Sequence, residues 1–376
     1  MRILVVMESL GLGGAELSLL YQLPALARLG YECHVAALRS PYIVSAHLEA
    51  VGVRVHRLDV EDRHNLPLAA FRLAQLCRRE RIELAHAKLF HPSLALALGR
   101  VFGPDIPRVV SFHNLAYAYP LHPLRRELTR LVEGALLRHN IDGFAALSHA
   151  VASSFEEALG VRGVRVVPNA VPTPSAPWTP EARQEARRSL GLPAETAVLA
   201  MPARLVPEKG HSVFLDALMA LKADGVPFYA VLAGAGPERM NIRAQIERLG
   251  FLEELRFIDQ GLSHDDVLRL MAASDVVVVP SILEGFGLAP AEAMSVGAAV
   301  VASAAGGLVD LVEHERSGLL VPPSDPAALA AALRRLIKDP GLRQQLARAG
   351  FERVKTHFSP ERVAELWDDL YRAVSR

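Results

Sequence analysis

Cysteine is almost missing from the 376 residues: Cys33 lies in a strand-like run and Cys77 in a helix-like one. Two such widely spaced thiols exclude a disulfide framework and a cysteine zinc site, and they fit a reducing compartment. Lysine is scarce as well, five against 36 arginines, yet Lys+Arg and Asp+Glu are equal at 41 each. A chain without net charge carries no electrostatic footprint for nucleic acid. Long apolar runs are absent; none approaches the roughly 18 residues of a membrane-spanning helix. Met1-Arg-Ile-Leu-Val-Val-Met runs straight into a strand and is too short for a signal-peptide core. The expected setting is cytoplasmic, with peripheral contact at the inner face of a membrane left open.

What is present describes an ordinary globular chain. Hydrophobic residues make up 51% and charged residues 22%, enough for a sizeable apolar interior, and the length suggests two domains. Strand-like and helix-like stretches alternate throughout, the pattern of parallel sheets covered by helices on both faces. In the first half, strand 2–7 leads into the Gly-rich turn Glu8-Ser-Leu-Gly-Leu-Gly-Gly-Ala-Glu16 and a helix through Leu29, which Pro24 is expected to kink. Strands ending at His86 and at His113-Asn114 follow. Residues 121–140 read as a helix bearing Arg125, Arg126, Arg130 and Arg138, either a solvated face or a basic face for an anionic surface. Five prolines between Pro168 and Pro180 are too dense for a helix interior or a central strand, so 164–178 reads as the link between domains.

The second half is organised around Pro280-Ser-Ile-Leu-Glu-Gly-Phe-Gly-Leu-Ala-Pro-Ala-Glu292. Asp275-Val-Val-Val-Val precedes it as a buried parallel strand, and Pro290 marks a helix opening, which puts Glu284 at a strand's carboxyl end and Glu292 in the first turn of the next helix. That sheet edge is where open α/β sheets bind ligands, beside free N–H groups and a positive helix end. Arg204 and Lys209 stand five residues apart at another strand end, two cations suited to a diphosphate. Gly13, Gly14 and Gly234 fall in loops on the same edges and allow close backbone approach. The alternatives are tight turns and solvated loop charges.

In this order, Gly13-Gly14-Ala15-Glu16, Ser111-Phe-His-Asn, Val167-Pro-Asn-Ala, Arg204…Lys209-Gly210, Gly234-Ala-Gly-Pro and Glu284-x7-Glu292 make nearly the whole chain resemble a retaining glycosyltransferase of family 4. The resemblance implies the GT-B fold, an α/β architecture of two Rossmann-like parallel-sheet domains facing across a cleft. It places an acceptor-side domain at 1–170, completed by a helix at 360–376, and a donor-binding domain at 171–359. It further implies that Glu292 holds the ribose of a nucleotide-sugar donor, and that Gly285, Phe286, Gly287 and Leu288 offer backbone amides to the sugar and phosphate. Glu284 and His113 would contact the donor sugar, Arg204 and Lys209 would neutralise the diphosphate, and Gly13, Gly14 and Gly234 would approach the donor. Glu16 and Asn114 would face the acceptor.

No metal or other cofactor is implied, only the nucleotide sugar, with UDP expected from family habit and GDP or ADP as alternatives. The acceptor would be a glycan, a lipid-linked saccharide or a small molecule. One departure stands out: the family's Pro-Asn-Gly-Val-Asp is Pro168-Asn-Ala-Val-Pro172 here, which bears on specificity more than on the charged centre. Two competing functions are a sugar-nucleotide epimerase of the same fold and an inactive nucleotide-sugar-binding scaffold. The first needs an extra acid/base cluster that is not evident; the second has no use for all of Arg204, Lys209, Glu284 and Glu292.

Overall fold

The structure, a computed structural model, describes residues 1–11, 13–62, 65–115, 123–251 and 253–376, the side chains of 123–126 and 128 excepted. The chain divides into two compact units, Met1–Ala170 with Phe358–Arg376, and Val171–His357.

Unit 1 holds seven parallel strands: β1 (Arg2–Met7), β2 (Glu32–Ala37), β3 (Arg54–Arg57), β4 (Leu84–Lys88), β5 (Arg108–Phe112), β6 (Gly143–Ala146) and β7 (Arg165–Val166), in spatial order β3-β2-β1-β4-β5-β6-β7. The β1 side chains from Ile3 to Met7 are fully buried. They alternate between two cores, because successive side chains of a strand point to opposite faces. Leu4 and Val6 join Leu73, Leu76, Phe112 and Phe155, whereas Ile3, Val5 and Met7 join Leu19, Leu23 and Leu26. That second core is closed by helix Pro360–Val374, through Trp367 and Tyr371. Ser359 caps this helix, Arg28 pairs with Glu361 at 2.5 Å, and the Tyr31 hydroxyl donates to Asp368 at 2.6 Å.

Unit 2 holds six parallel strands: β8 (Val198–Pro202), β9 (Tyr229–Ala233), β10 (Leu255–Ile258), β11 (Val276–Val279), β12 (Ala299–Ser303) and β13 (Leu319–Val321), ordered β10-β9-β8-β11-β12-β13. Thr179 and Ser263 cap two of its helices through their hydroxyls. A buried ion pair ties helix Pro180–Leu190 to the foot of β11, with Arg187 donating to Asp275 at 2.5 Å. In each sheet the strand order reverses once, between β1 and β4 and between β8 and β11, and ligands of open α/β sheets bind outside the carboxyl ends at such a point.

Helix Gly14–Arg28 includes Pro24, between buried Leu23 and Ala25. One expectation needs correction. Part of the proline-rich stretch read as a linker is β7, whose Arg165 and Val166 pair with Ala145 and Ala146. Its two residues end before Pro168, so the prolines bound the strand instead of interrupting it. Arg125 and Arg126 of the basic stretch, and residues 116–122, lie outside what is described. Among the described residues, no helix is long and apolar enough to cross a membrane.

Candidate functional site

In unit 2 the site is built where β8 and β11 end side by side. After β8 the chain turns through a short 3-10 segment, Pro207–Lys209, and after β11 it enters the loop from Pro280. The two loops are stitched together: Ile282 N–H donates to Glu208 C=O at 2.8 Å, and Lys209 Nζ donates to Glu284 Oε2 at 2.5 Å. Both charged side chains are mostly buried, Lys209 at 19% exposure and Glu284 at 15%. Ser281 Oγ reaches Glu284 at 3.3 Å, and Gly307 N–H donates to the Glu284 carbonyl at 2.9 Å. The carboxylate is thus held by Lys209 and Ser281, and the residue's main chain by Gly307. Arg204 differs; its side chain is 72% exposed and sits 3.8 Å from Glu208, which leaves its guanidinium accessible to an anion.

Helix Leu288–Ser295 starts directly at Gly287, whose φ of +97° is reserved in practice for glycine. The N–H groups of an opening turn have no intrahelical acceptor, so this helix end presents donors beside the Lys209–Glu284 pair. Glu292 is not in that first turn, contrary to expectation. The left-handed Gly287 starts the helix before Pro290, so Glu292 falls one turn in, at 8% exposure. Burial pushes its carboxyl up to about 7. His264 Nδ1 lies 3.9 Å from its carboxylate, beyond hydrogen-bond reach, and burial lowers that imidazole's pKa. A desolvated carboxylate of this kind gains strongly from ligand hydroxyls that reach it. Gly234 contributes indirectly: a Cβ there would lie 1.8 Å from the Ala203 carbonyl oxygen, so glycine lets the β9 loop close against the turn that carries Arg204.

Unit 1 offers a second set at the carboxyl ends of β1, β4 and β5. Gly13 and Gly14 open helix Gly14–Arg28. A Cβ on Gly13 would meet Glu16 Oε2 at 2.3 Å, so Glu16 folds back over its own helix start. Burial raises the Glu16 pKa, opposed by its backbone hydrogen bond and the charge of Lys88. His113 follows β5, its Nε2 2.9 Å from Ser111 Oγ, and among the described residues its Nδ1 has no partner. Burial and the Lys88 charge hold its pKa well below 6.5. Asn114 is exposed.

Sequence reasoning missed several residues here. Lys88 is buried within β4, with Nζ 2.8 Å from Gln22 Oε1, and burial brings its pKa down to about 7. Glu8 bonds both Arg39 at 3.0 Å and His91 at 2.9 Å. His86, expected at a strand end, is internal to β4 and fully buried. Scarcity was the signal available for Lys88; Glu8 had only its place after β1.

Among the described residues, one group outside both sets offers metal-ligand atoms, His34, His56 and Glu80. The two imidazoles are nearly coplanar, 18° apart, with centroids 5.3 Å and nitrogens 3.1 Å apart. The centroid separation exceeds the nitrogen separation by nearly two ring radii, so the nitrogens face one another in line as a hydrogen bond. Arg54 and Arg79 also lie against Glu80. The two imidazoles form a hydrogen-bonded pair, and the three side chains' ligand atoms lie within 4.8 Å of one another.

Comparison with known proteins places these parts in context. Residues 12–174 match the family model described as Glycosyltransferase Family 4, and residues 182–353 match Glycosyl transferases group 1. The chain is similar to 2-deoxystreptamine glucosyltransferase of Streptomyces kanamyceticus, 30% identical over 80% of each protein. It is also similar to D-inositol 3-phosphate glycosyltransferase of a Nocardioides species, 38% identical over 52% of this chain. That match spans less than half of the relative, 45% of its length. Among solved structures, Anabaena HepE in complex with UDP-glucose superposes with a TM-score of 0.83 at 25% identity, covering 99% of this chain and all of that one.

Proposed function

The chain belongs to glycosyltransferase family 4 and has the GT-B fold, and from that premise we propose that it moves a sugar from a UDP-sugar to a hydroxyl acceptor with retention of anomeric configuration and without a metal. The observation that carries this reading is the 2.5 Å Lys209–Glu284 pair at the switch point of unit 2, with buried Glu292 one helical turn further on. Glu292 accepts hydrogen bonds from the ribose hydroxyls. The opening amides of helix Leu288–Ser295, with those of Gly285 and Phe286, hold sugar and phosphate, and Glu284 orients the donor sugar. As the bond between the anomeric carbon and the phosphate oxygen breaks, Lys209 and Arg204 offset the charge growing on the diphosphate. The departing phosphate oxygen takes the proton of the acceptor hydroxyl, which attacks on the face being vacated.

UDP is supported by the solved relative held with UDP-glucose. The names of the two enzyme relatives, an inositol phosphate and 2-deoxystreptamine, support a small polyhydroxylated acceptor. The free, buried Cys33 and Cys77 are consistent with a cytoplasmic setting. Thermal shift and calorimetry against UDP-, GDP-, ADP- and TDP-sugars, each with and without EDTA, test the donor. A response to a UDP-sugar that EDTA leaves unchanged is expected, followed by product of the donor's own anomeric configuration by NMR. Silence toward every nucleotide sugar would overturn the reading.

A further inference from the structure

Unit 1 contains a run of four hydrogen-bonded side chains that the transfer reaction as described leaves unused. Tyr371 Oη lies 2.8 Å from His86 Nδ1, His86 Nε2 lies 2.8 Å from Ser111 Oγ, and Ser111 Oγ lies 2.9 Å from His113 Nε2. The chain starts on helix Pro360–Val374, crosses β4 and β5, and ends on the loop residue expected to meet the donor sugar. We propose that Tyr371, His86 and Ser111 are positioning residues that fix His113 as the Nδ1–H tautomer, so that His113 presents a hydrogen-bond donor to a sugar oxygen.

The proton order follows from counting donors. A neutral imidazole has one N–H and one lone pair, so a series in which Ser111 both accepts and donates can run in two directions; Ser111 accepting from both rings would strand its own buried proton. In one, the Tyr371 hydroxyl donates to His86 Nδ1, His86 Nε2–H donates to Ser111 Oγ, and Ser111 donates to His113 Nε2. Among the described residues, the group of this series then left without an acceptor is His113 Nδ1–H. In the other, His113 Nε2–H donates to Ser111, Ser111 to His86 Nε2, and His86 Nδ1–H to Tyr371. That order strands the Tyr371 proton and also leaves the His113 Nδ1 lone pair idle.

The number of unpaired groups separates the two directions. Tyr371 is 0% exposed, and the Trp367 ring lies over His86 with centroids 4.4 Å apart, so neither ligand nor water reaches that hydroxyl. His113 is partly exposed as a residue, but its Nδ1 is itself buried and without a partner among the described residues. The first direction therefore leaves one buried group unpaired, Nδ1–H, which a sugar oxygen reaching it would satisfy, whereas the second leaves both the Tyr371 proton and the Nδ1 lone pair. Both rings are held neutral by burial and by the charge of Lys88, as the scheme requires.

The ligand half of this proposal rests on the nucleotide-sugar reading; the tautomer half does not. Long-range 1H–15N spectra of the histidine rings in the unliganded protein, with His113→Gln for assignment, read the tautomer directly. The expected result is a protonated Nδ1 and an unprotonated Nε2 on His113. Ser111→Ala should release that preference and raise the donor KM about three- to tenfold, the loss of one neutral hydrogen bond, with a smaller change in kcat. Ser111→Thr should restore both, and Tyr371→Phe should disturb the His86 signals. A wild-type His113 protonated on Nε2, or a tautomer indifferent to Ser111→Ala, overturns the proposal. The expected tautomer together with a donor KM unmoved by Ser111→Ala would sink the sugar contact alone.

Discussion

Replacing Glu292 by Gln removes a titrating group from a place where burial holds a carboxyl at about 7. If the ionised form is what the ribose hydroxyls bind, about one molecule in eleven is competent at pH 6 and about ten in eleven at pH 8. Affinity for a UDP-sugar should therefore rise about tenfold across that interval. A sugar diester is the right probe, because it carries no phosphate that titrates there. Calorimetry in two buffers of different ionisation heat should also find about half a proton released on binding near pH 7. The Gln variant should bind weakly at every pH and release none. A wild-type affinity flat from pH 6 to 8, or the same slope in the variant, would refute the reasoning. Stability supplies an independent check. The folded pKa is raised above the unfolded value of 4.5, so this residue's contribution is complete below that value and is lost as pH rises through about 7. Glu292→Gln should match wild type near pH 4 and be more stable at pH 8 by on the order of 3 kcal/mol.

Other substitutions separate binding from turnover and function from folding. Lys209→Ala should lower kcat about a hundredfold or more with a smaller effect on donor binding, since the leaving-group charge grows in the transition state; steady-state kinetics with a matched pair of KM and kcat measurements decide it. Glu284→Gln should free Lys209 from its 2.5 Å partner, so that UDP binds several-fold tighter while transfer falls; weaker UDP binding would contradict the geometry. Asp275→Asn should destabilise unit 2 by about 3–5 kcal/mol in denaturant titration, because Arg187 would stay buried beside it without a counter-charge. Trp367→Ala should cost about 3–5 kcal/mol through the cavity left over β1 and β4, and unit 1 should melt first.

The parallel-sheet plan was legible because its signals are local. Val276–Val279 is a continuous β-branched run that Pro280 stops, and alternation of such runs with amphipathic stretches leaves few topologies. The approach of Lys209 to Glu284 was inferable once both were placed at strand ends, since adjacent strands bring their following loops together. Register inside a helix was less legible. Pro290 suggested a later helix start, whereas Gly287 caps from the left-handed region and shifts Glu292 into the second turn. Partners distant in sequence were not legible at all. Lys88 meets Gln22 across 66 residues, and His86 meets Tyr371 across 285. Nothing in the sequence near Tyr371 indicates that its hydroxyl has a buried partner on β4.

Helix Pro360–Val374 also imposes an order on biosynthesis. Unit 1 begins at Met1, but the side chains that seal one of its cores belong to residues synthesised about 190 positions after Ala170. At about 5–20 residues per second, that leaves roughly 10–40 s during which the sheet can form while Ile3, Val5 and Leu23 lack the cover of Trp367 and Tyr371. Unit 2 is contiguous, and its whole span emerges during that interval. Unit 1 is therefore started before unit 2 and sealed after it, and the nascent chain carries an open apolar face while unit 2 is made.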